Sequence, residues 1–272
     1  MKEHTLTLPE ITCHLPQNHP WQDRIACFES VGSTNTLAKS MAASGAPHGT
    51  VLIADHQSAG RGRLGRTFLS PAGTGVYMSV VLRPDCTPDR LMHLTCAAAV
   101  AMCGAVQAAV GIRPGIKWTN DLVYGGKKLA GILTELSIAP ESGLVDWAIV
   151  GIGINCCQRS QEFAPEIRDM AGSLAMVTGR EIDRSRVAAA MVTALEEMDR
   201  RLLTDKEAIL DAYRAGCITL GRDISLHRGG EVRYGTALDI DAEGALIVRF
   251  PDGHTETVNS GEVSVRGMYG YS

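Results

Sequence analysis

The residues with the strongest chemical potential lie in one short run. Gly60-Arg61-Gly62-Arg63-Leu64-Gly65-Arg66 sets three arginines among three glycines. Arginine carries a permanent charge on a planar fork that matches carboxylate or phosphate oxygens. Glycine allows positive φ and close approach of backbone to a ligand. The combination describes a loop that folds over an anion. A solvated basic loop and an arginine-glycine tract of the RNA-binding kind use the same residue types. Such tracts run longer and sit in low-complexity sequence, whereas this one lies between two apolar runs. The anion loop is the reading adopted, with the anion unnamed at this point.

Four other groupings could share that chemistry. Lys117-Trp118-Thr119-Asn120-Asp121 offers a cation, an amide and a carboxylate, and Asp121 is a candidate to hold magnesium or to position a lysine. Lys127 and Lys128 follow Gly125-Gly126, and the period-2 alternation of a strand gives each face one of them. Lys127 is read as protecting a sheet edge. Ser33-Thr34-Asn35 is either a helix cap or a polar cluster at a helix N-terminus facing a ligand head. Gly151-Ile152-Gly153-Ile154-Asn155 reads as a core strand with a bulge, or as a strand that another group approaches closely. It lacks the third glycine and following helix of a dinucleotide fingerprint, and the chain holds no P-loop pattern. His56 has no metal-spaced partner.

The elements that must position these groups can be read from periodicity and breakers. Residues 1–24 read as an irregular arm. A helix starts at Ser33 or Thr34 and ends before Gly45 and Pro47. Thr50–Ala54 and Gly75–Leu82 read as strands flanking the loop. Thr87-Pro88-Asp89 opens an alanine-rich helix to about Ala109. Apolar runs on both sides of Gly125-Gly126 predict a hairpin within Ile116–Leu136. Asp146–Asn155 is a buried strand, 156–182 a loop with a short helix, and Ser185–Leu203 and Asp205–Arg214 are helices. After Gly216 short strands alternate with tight turns, which predicts a β-barrel of about 50 residues.

Composition bounds the function. The 272 residues carry a net charge of -4, so no global basic field attracts nucleic acid. No run approaches the ~18 apolar residues of a membrane span. Residues 1–20 are polar and carry three prolines, unlike a signal peptide. The eight cysteines include no Cys-x-x-Cys pair. They are expected to be reduced, buried and apolar in role, in a cytoplasmic setting.

Taken together, Ser33-Thr34-Asn35, Gln57, Gly60–Arg66, Lys117-Trp118-x-Asn120-Asp121, Lys128–Leu133, Gly151-x-Gly153-x-Asn155 and the closing Gly261–Arg266 resemble, in type and order, the motifs of biotin protein ligases. The resemblance runs from about Phe28 to Arg266. It implies an α/β catalytic domain with a mixed sheet, followed by a small SH3-like β-barrel. The corresponding division is an arm at 1–25, a catalytic domain at 26–218 and a barrel at 219–268. The implied reaction activates biotin with ATP and magnesium to biotinyl-5'-AMP, then biotinylates a lysine of the biotin carboxyl carrier domain of a carboxylase. On this resemblance Ser33, Thr34, Asn35 and Gln57 contact the biotin head. Arg61, Gly62 and Arg63 contact its carboxylate and the adenylate phosphate. Lys128 bridges carboxylate and α-phosphate and is, with Arg63, the expected catalytic residue. Gly131 and Gly153 line the pocket. Lys117, Asn120, Asp121, Asn155 and Arg266 lie on the nucleotide or metal side.

Three positions depart from the family's pattern. Thr119 replaces a proline, which is expected to loosen that turn. Leu64 replaces a residue that is often polar, and Phe68 one that is often Trp; both bear on loop closure and retention of the adenylate. Some relatives carry an N-terminal DNA-binding module, for which about 25 residues are too few, so neither DNA nor membrane is an expected partner. Relatives are monomers or homodimers, and both remain open. The alternatives are a lipoate ligase or octanoyltransferase of the same superfamily, and a sensor that binds biotinyl-adenylate without transferring it.

Overall fold

The computed structural model describes residues 6–228, 230–259 and 261–265. Its centre is a seven-stranded mixed sheet: β1 (Ile25–Val31), β2 (Thr50–Gln57), β3 (Gly75–Leu82), β4 (Gly115–Lys117), β5 (Asp121–Tyr124), β6 (Lys127–Ile138) and β7 (Val145–Asn155), in the order β1-β2-β3-β7-β6-β5-β4. Only β1 and β2 run parallel. Their connection is α2 (Thr34–Ala43), as a parallel pair requires. Every residue of β3 is buried, which explains a run that is apolar but for Ser79.

One face of the sheet is covered by α3 (Leu94–Val110), α5 (Arg184–Arg201) and α6 (Lys206–Gly216). Ala97, Ala98 and Ala99 let α3 pack closely, and Met102 and Val106 complete its buried side. The stretch Pro88–Val110, 23 residues, is long and apolar enough by composition to cross a membrane. This departs from the sequence expectation, because alanine and cysteine raised its apolar content without a long aliphatic run. In the fold it is a 3-10 turn, Pro88–Leu91, followed by a core helix.

The N-terminal segment differs from the expected irregular arm. Leu8–Thr12 forms the short helix α1, and Leu6, Ile11 and Trp21 are buried in the main core. Gly49 makes room for Trp21. Its φ is +77°, and a Cβ there would stand 2.4 Å from the indole nitrogen. The segment 156–182 carries one short helix, α4 (Leu174–Thr178), as the sequence predicts.

The C-terminal strands β8 (Asp223–Arg228), β9 (Glu231–Ile240), β10 (Leu246–Arg249), β11 (Thr255–Val258) and β12 (Glu262–Val265) form a second sheet, ordered β11-β10-β9-β8-β12 and antiparallel throughout. It docks on the first unit: the Trp118 indole donates to the Gly244 carbonyl at 3.1 Å, and Arg214 reaches the Ile240 carbonyl at 3.0 Å. All eight cysteines are free thiols. Five are buried as expected, but Cys13 is exposed.

Candidate active site

Strand register builds the floor of the site. One row crosses five strands as Tyr77, Gly153, Gly131, Asp121 and Lys117. The next crosses three as Ser79, Gly151 and Leu133. Glycine at the middle of both rows leaves bare backbone where a sheet face would carry side chains. Of the two readings for Gly151–Gly153 the bulge is absent: β3, β7 and β6 stay in register there. Other groups use the space instead. A Cβ on Gly151 would come within 1.8 Å of Asn35 Oδ1, and one on Gly153 within 2.4 Å of the Phe68 ring.

The Ser33–Asn35 cluster is a cap and a polar web together. Ser33 is the N-cap of α2, its hydroxyl 3.5 Å from the Thr36 amide. The Thr34 amide and hydroxyl both donate to Gln57 Oε1, at 2.8 and 3.0 Å. Gln57 Nε2 in turn donates to Ser70 Oγ at 2.8 Å, fixing which end of the amide faces Thr34. Below them the fully buried Ser79 hydroxyl lies 2.8 Å from Thr34 Oγ1 and 2.6 Å from Asn35 Oδ1. Asn35 Nδ2 donates to the Leu133 carbonyl at 3.2 Å and to Glu135 Oε2 at 3.0 Å. Each amide and hydroxyl is therefore oriented before a ligand arrives, the arrangement that favours selective binding.

The arginine loop folds over this floor as a small hairpin. Gly62 N–H bonds the Arg66 carbonyl at 2.7 Å, and Phe68 N–H the Gly60 carbonyl at 2.9 Å. At its tip Leu64 holds a left-handed conformation, φ 54°, followed by Gly65 at φ +74°. A leucine there carries a steric cost that glycine or asparagine avoids. Arg63 Nη1 donates to Asn120 Oδ1 at 3.0 Å. Asn120 is itself fastened to β6, exchanging hydrogen bonds with the Ile132 backbone at 3.0 Å. Arg61 Nη1 reaches Glu135 at 3.2 and 3.4 Å, and Lys39 on α2 reaches the same carboxylate at 2.9 Å. Burial works against ionising Glu135, but its bonds from Lys39 and Asn35 and the Lys39 and Arg61 charges outweigh that. Its carboxyl is held below the ordinary range.

The loop is pinned where it leaves and rejoins the sheet. Asp55 near the end of β2 and Arg184 on α5 form a buried ion pair at 2.5 Å. Asp55 also accepts the Gly73 N–H at 3.1 Å, and Arg184 donates to the Gly75 carbonyl at 3.1 Å.

Lys128 Nζ stands 2.7 Å from Asp121 Oδ1. Of the two roles open to Asp121, the geometry pairs it with a lysine. Lys127 does not protect an edge: β6 lies inside the sheet, and the Lys127 ammonium donates to the Asp169 carbonyl at 2.7 Å. Lys117 is buried and lines the cleft. Asn155 does not reach the cleft wall. Its amide donates to the Gly172 carbonyl at 3.0 Å and accepts from Gln158 at 3.2 Å, tying the following loop together. Arg266 lies outside the described residues. The turn carrying Thr119 is held on both sides: Trp118 N–H donates to Thr219 Oγ1 at 2.9 Å and Tyr213 O–H to the Thr119 carbonyl at 3.0 Å. The Trp118–Thr119 peptide is cis.

These groups surround one cleft, lined also by Gly261 and by Val263 of β12. Ser33, Thr34, Asn35, Gln57, Arg61, Gly62, Arg63, Lys117, Asn120, Asp121, Lys128, Gly131 and Gly153 all line it. Cations at the mouth and oriented amides at the floor suit an anionic ligand with a polar, uncharged head. Among the described residues no three His, Cys, Asp or Glu side chains cluster as a metal cage. The sequence reading missed Ser79, Lys39 and Glu135, which share the web but belong to no local motif.

Comparison with known proteins agrees with this geometry. The profile of the biotin/lipoate A/B protein ligase family matches residues 27–155, and that of the biotin protein ligase C terminal domain residues 219–266. The biotin--[acetyl-CoA-carboxylase] ligase of Mycobacterium tuberculosis is 34% identical, over 85% of each chain. The chain belongs to the biotin protein ligase family. The bifunctional ligase/repressor BirA of Bacillus spizizenii is 38% identical, over 82% of this ligase and 68% of BirA. Among solved structures, the biotin protein ligase from Aquifex aeolicus in complex with biotin and ATP superposes with a TM-score of 0.74, at 30% identity. That match covers 89% of this ligase and 98% of the other chain.

Proposed function

We infer that this ligase activates biotin with ATP to biotinyl-5'-AMP and transfers the biotin to a lysine of the biotin carboxyl carrier domain of a carboxylase. The observation that carries the assignment of the chemistry is the Lys128–Asp121 pair beside the bare Gly131–Gly153 row, facing the loop arginines.

The first step brings a carboxylate onto an α-phosphate, so two anions must meet. Lys128 lies between the positions assigned to both and offsets charge as the pentacovalent phosphorus forms. Asp121 orients that ammonium. Arg61 and Arg63 hold the carboxylate end and the phosphate, and Thr34, Asn35 and Gln57 address the ureido head. Asp121, one carboxylate already facing a lysine, fits a magnesium ion carried in on the nucleotide rather than held by the protein alone. Such an ion would offset charge on the departing pyrophosphate. In the second step the neutral amine of the acceptor lysine attacks the acyl carbon. The acyl–phosphate bond breaks and AMP leaves. Between the steps the mixed anhydride must be kept from water, the role proposed for the closed Gly60–Arg66 loop. The eight free thiols support a cytoplasmic setting.

The test is incubation with labelled biotin, ATP, magnesium and a carrier domain. Labelled carrier is the expected product. Formation of lipoyl-AMP without biotinyl-AMP would transfer the site to the sister activity, and adenylate without carrier labelling would make it a sensor.

A further inference from the structure

The hydrogen-bond web at the floor of the cleft has a direction, and Glu135 stands at the end that sets it. Asn35 Nδ2 faces two acceptors, the Leu133 carbonyl at 3.2 Å and Glu135 Oε2 at 3.0 Å. Turning the amide over would point Asn35 Oδ1 at both of them, oxygen against oxygen. Of the two, Glu135 is the charged one. Burial opposes its ionisation, but the bonds from Lys39 and Asn35 outweigh that, and the carboxyl is held below the ordinary range. At neutral pH it accepts hydrogen bonds and has none to give.

The consequence passes along the web. Asn35 Oδ1 is left facing the fully buried Ser79 hydroxyl, 2.6 Å away. Ser79 has one proton and two oxygens in reach, Asn35 Oδ1 and, at 2.8 Å, Thr34 Oγ1. The nearer is a carbonyl with no proton of its own, so it takes the one from Ser79. The Thr34 proton goes to Gln57 Oε1 at 3.0 Å. Thr34 Oγ1 and Asn35 Oδ1 therefore keep lone pairs, and no proton, for the cleft that both residues line. Oδ1 stands over the bare Gly151 backbone, where a Cβ would lie 1.8 Å from it.

We propose that Glu135 is a positioning residue for specificity: by holding Asn35 Nδ2 it makes the floor of the cleft an acceptor surface, which selects a ligand head that presents N–H groups. This rests on the reading that the biotin ureido ring occupies that floor. A site whose buried groups are committed as acceptors rejects a head of the same shape that brings an acceptor instead, because two oxygens are then left unpaired. With Glu135 altered, Asn35 is free to turn. Its Nδ2 would then meet Ser79, the Ser79 proton would turn onto Thr34 Oγ1, and the floor would lose its preference.

The experiment is a calorimetric comparison of biotin with its cyclic carbamates, in which oxygen replaces one ureido N–H or the other. The shape is kept and one donor becomes an acceptor. Wild type should favour biotin over at least one carbamate by about ten- to a hundredfold. Glu135→Gln is isosteric but offers Asn35 a donor as well as an acceptor, so the preference should shrink about three- to tenfold. Lys39→Met removes a charge beside Glu135 without touching Asn35, and its preference should match wild type. Equal binding of biotin and both carbamates by the wild type, an undiminished preference in Glu135→Gln, or the same loss in Lys39→Met would each overturn the proposal. Wild type that binds none of these ligands would instead remove the biotin reading beneath it.

Discussion

Lys128 Nζ and Asp121 Oδ1 stand 2.7 Å apart on adjacent strands, beside a register break between Leu122 and Val123. The break matters because strict pairing would alternate side chains between faces, and a local shift re-aims one of them. Asp121 is paired across the ladder with Gly131, which has no side chain to intervene. The carboxylate thus reaches the lysine directly and holds its ammonium over the bare backbone.

Replacing Lys128 by alanine should therefore lower biotin-dependent pyrophosphate release by about 10²–10³, the usual effect of losing one donor to a developing charge. Biotin affinity should change far less. Asp121→Asn should fall between the wild type and Lys128→Ala. Single-turnover measurements alongside calorimetric biotin titration separate the two quantities, and wild-type pyrophosphate release in Lys128→Ala would remove it from the chemistry.

Gly151 and Gly153 share a motif but not a consequence. Gly151→Ala drives a methyl into Asn35, which is tied on both sides to Ser79 and Glu135. Gly153→Ala meets the Phe68 ring, a side chain on the loop that can move. The first substitution should weaken biotin binding by a factor of ten or more, at about 1.4 kcal/mol per tenfold, and the second should have the smaller effect. Equal losses in a titration calorimeter would contradict the distinction.

Ser79→Ala deletes the hydroxyl under Thr34 and Asn35. The orphaned acceptor is buried, so stability should drop by about 1–3 kcal/mol, read from urea unfolding. Biotin binding should weaken while the adenylation rate at saturating biotin stays near wild type. A variant with wild-type affinity would mean that the web orients nothing.

How much of this could be read from the chain depends on distance in sequence. The motif residues that line the cleft combine glycine with charge or amide within a few positions, and such clusters are visible one-dimensionally. Ser79 was hidden because it is a lone hydroxyl inside the apolar run of β3; its meaning comes from pairing with Gly151, 72 positions away. Glu135 and Lys39 look like ordinary surface charges until α2 is laid against β6. Asn155 erred the other way: it ends a suggestive pattern, yet its buried amide fastens a loop. Most helices and strands followed from periodicity, but β1 was not read as a strand, and the N-terminal helix α1 was obscured by prolines, of which Pro9 sits in its first turn.

The thiols give an independent check on the core. Burial pushes Cys27 up to about 11 and Cys96 and Cys103 each to about 12. A raised value keeps the thiol protonated at pH 8, and the thiolate is the reacting form. Native protein at pH 8 should show one fast equivalent, Cys13, with an aromatic disulfide reagent, the rest reacting on denaturation. Three or more fast equivalents would contradict this burial.

Asp55→Asn should be the costliest of the polar substitutions. It removes a negative charge from beside Arg184, whose side chain is only 5% exposed. The expected loss is about 3–5 kcal/mol, measured by denaturant unfolding. A loss under about 1 kcal/mol would mean that the pair is hydrated, as surface pairs are.

That same ion pair makes the arginine loop a cassette with fixed ports. Asp55 and Arg184 hold the chain at Gly73 and Gly75, and Gln57 holds it at Ser70 through an amide-to-carbonyl bond of 3.1 Å. What lies between can vary without disturbing the sheet, since doubling a loop's length adds only about 0.6 kcal/mol of closure entropy. Evolution or design can therefore retune how long the intermediate is held by exchanging residues within 60–68, with the polar web of Thr34, Asn35, Gln57 and Ser79 left in place.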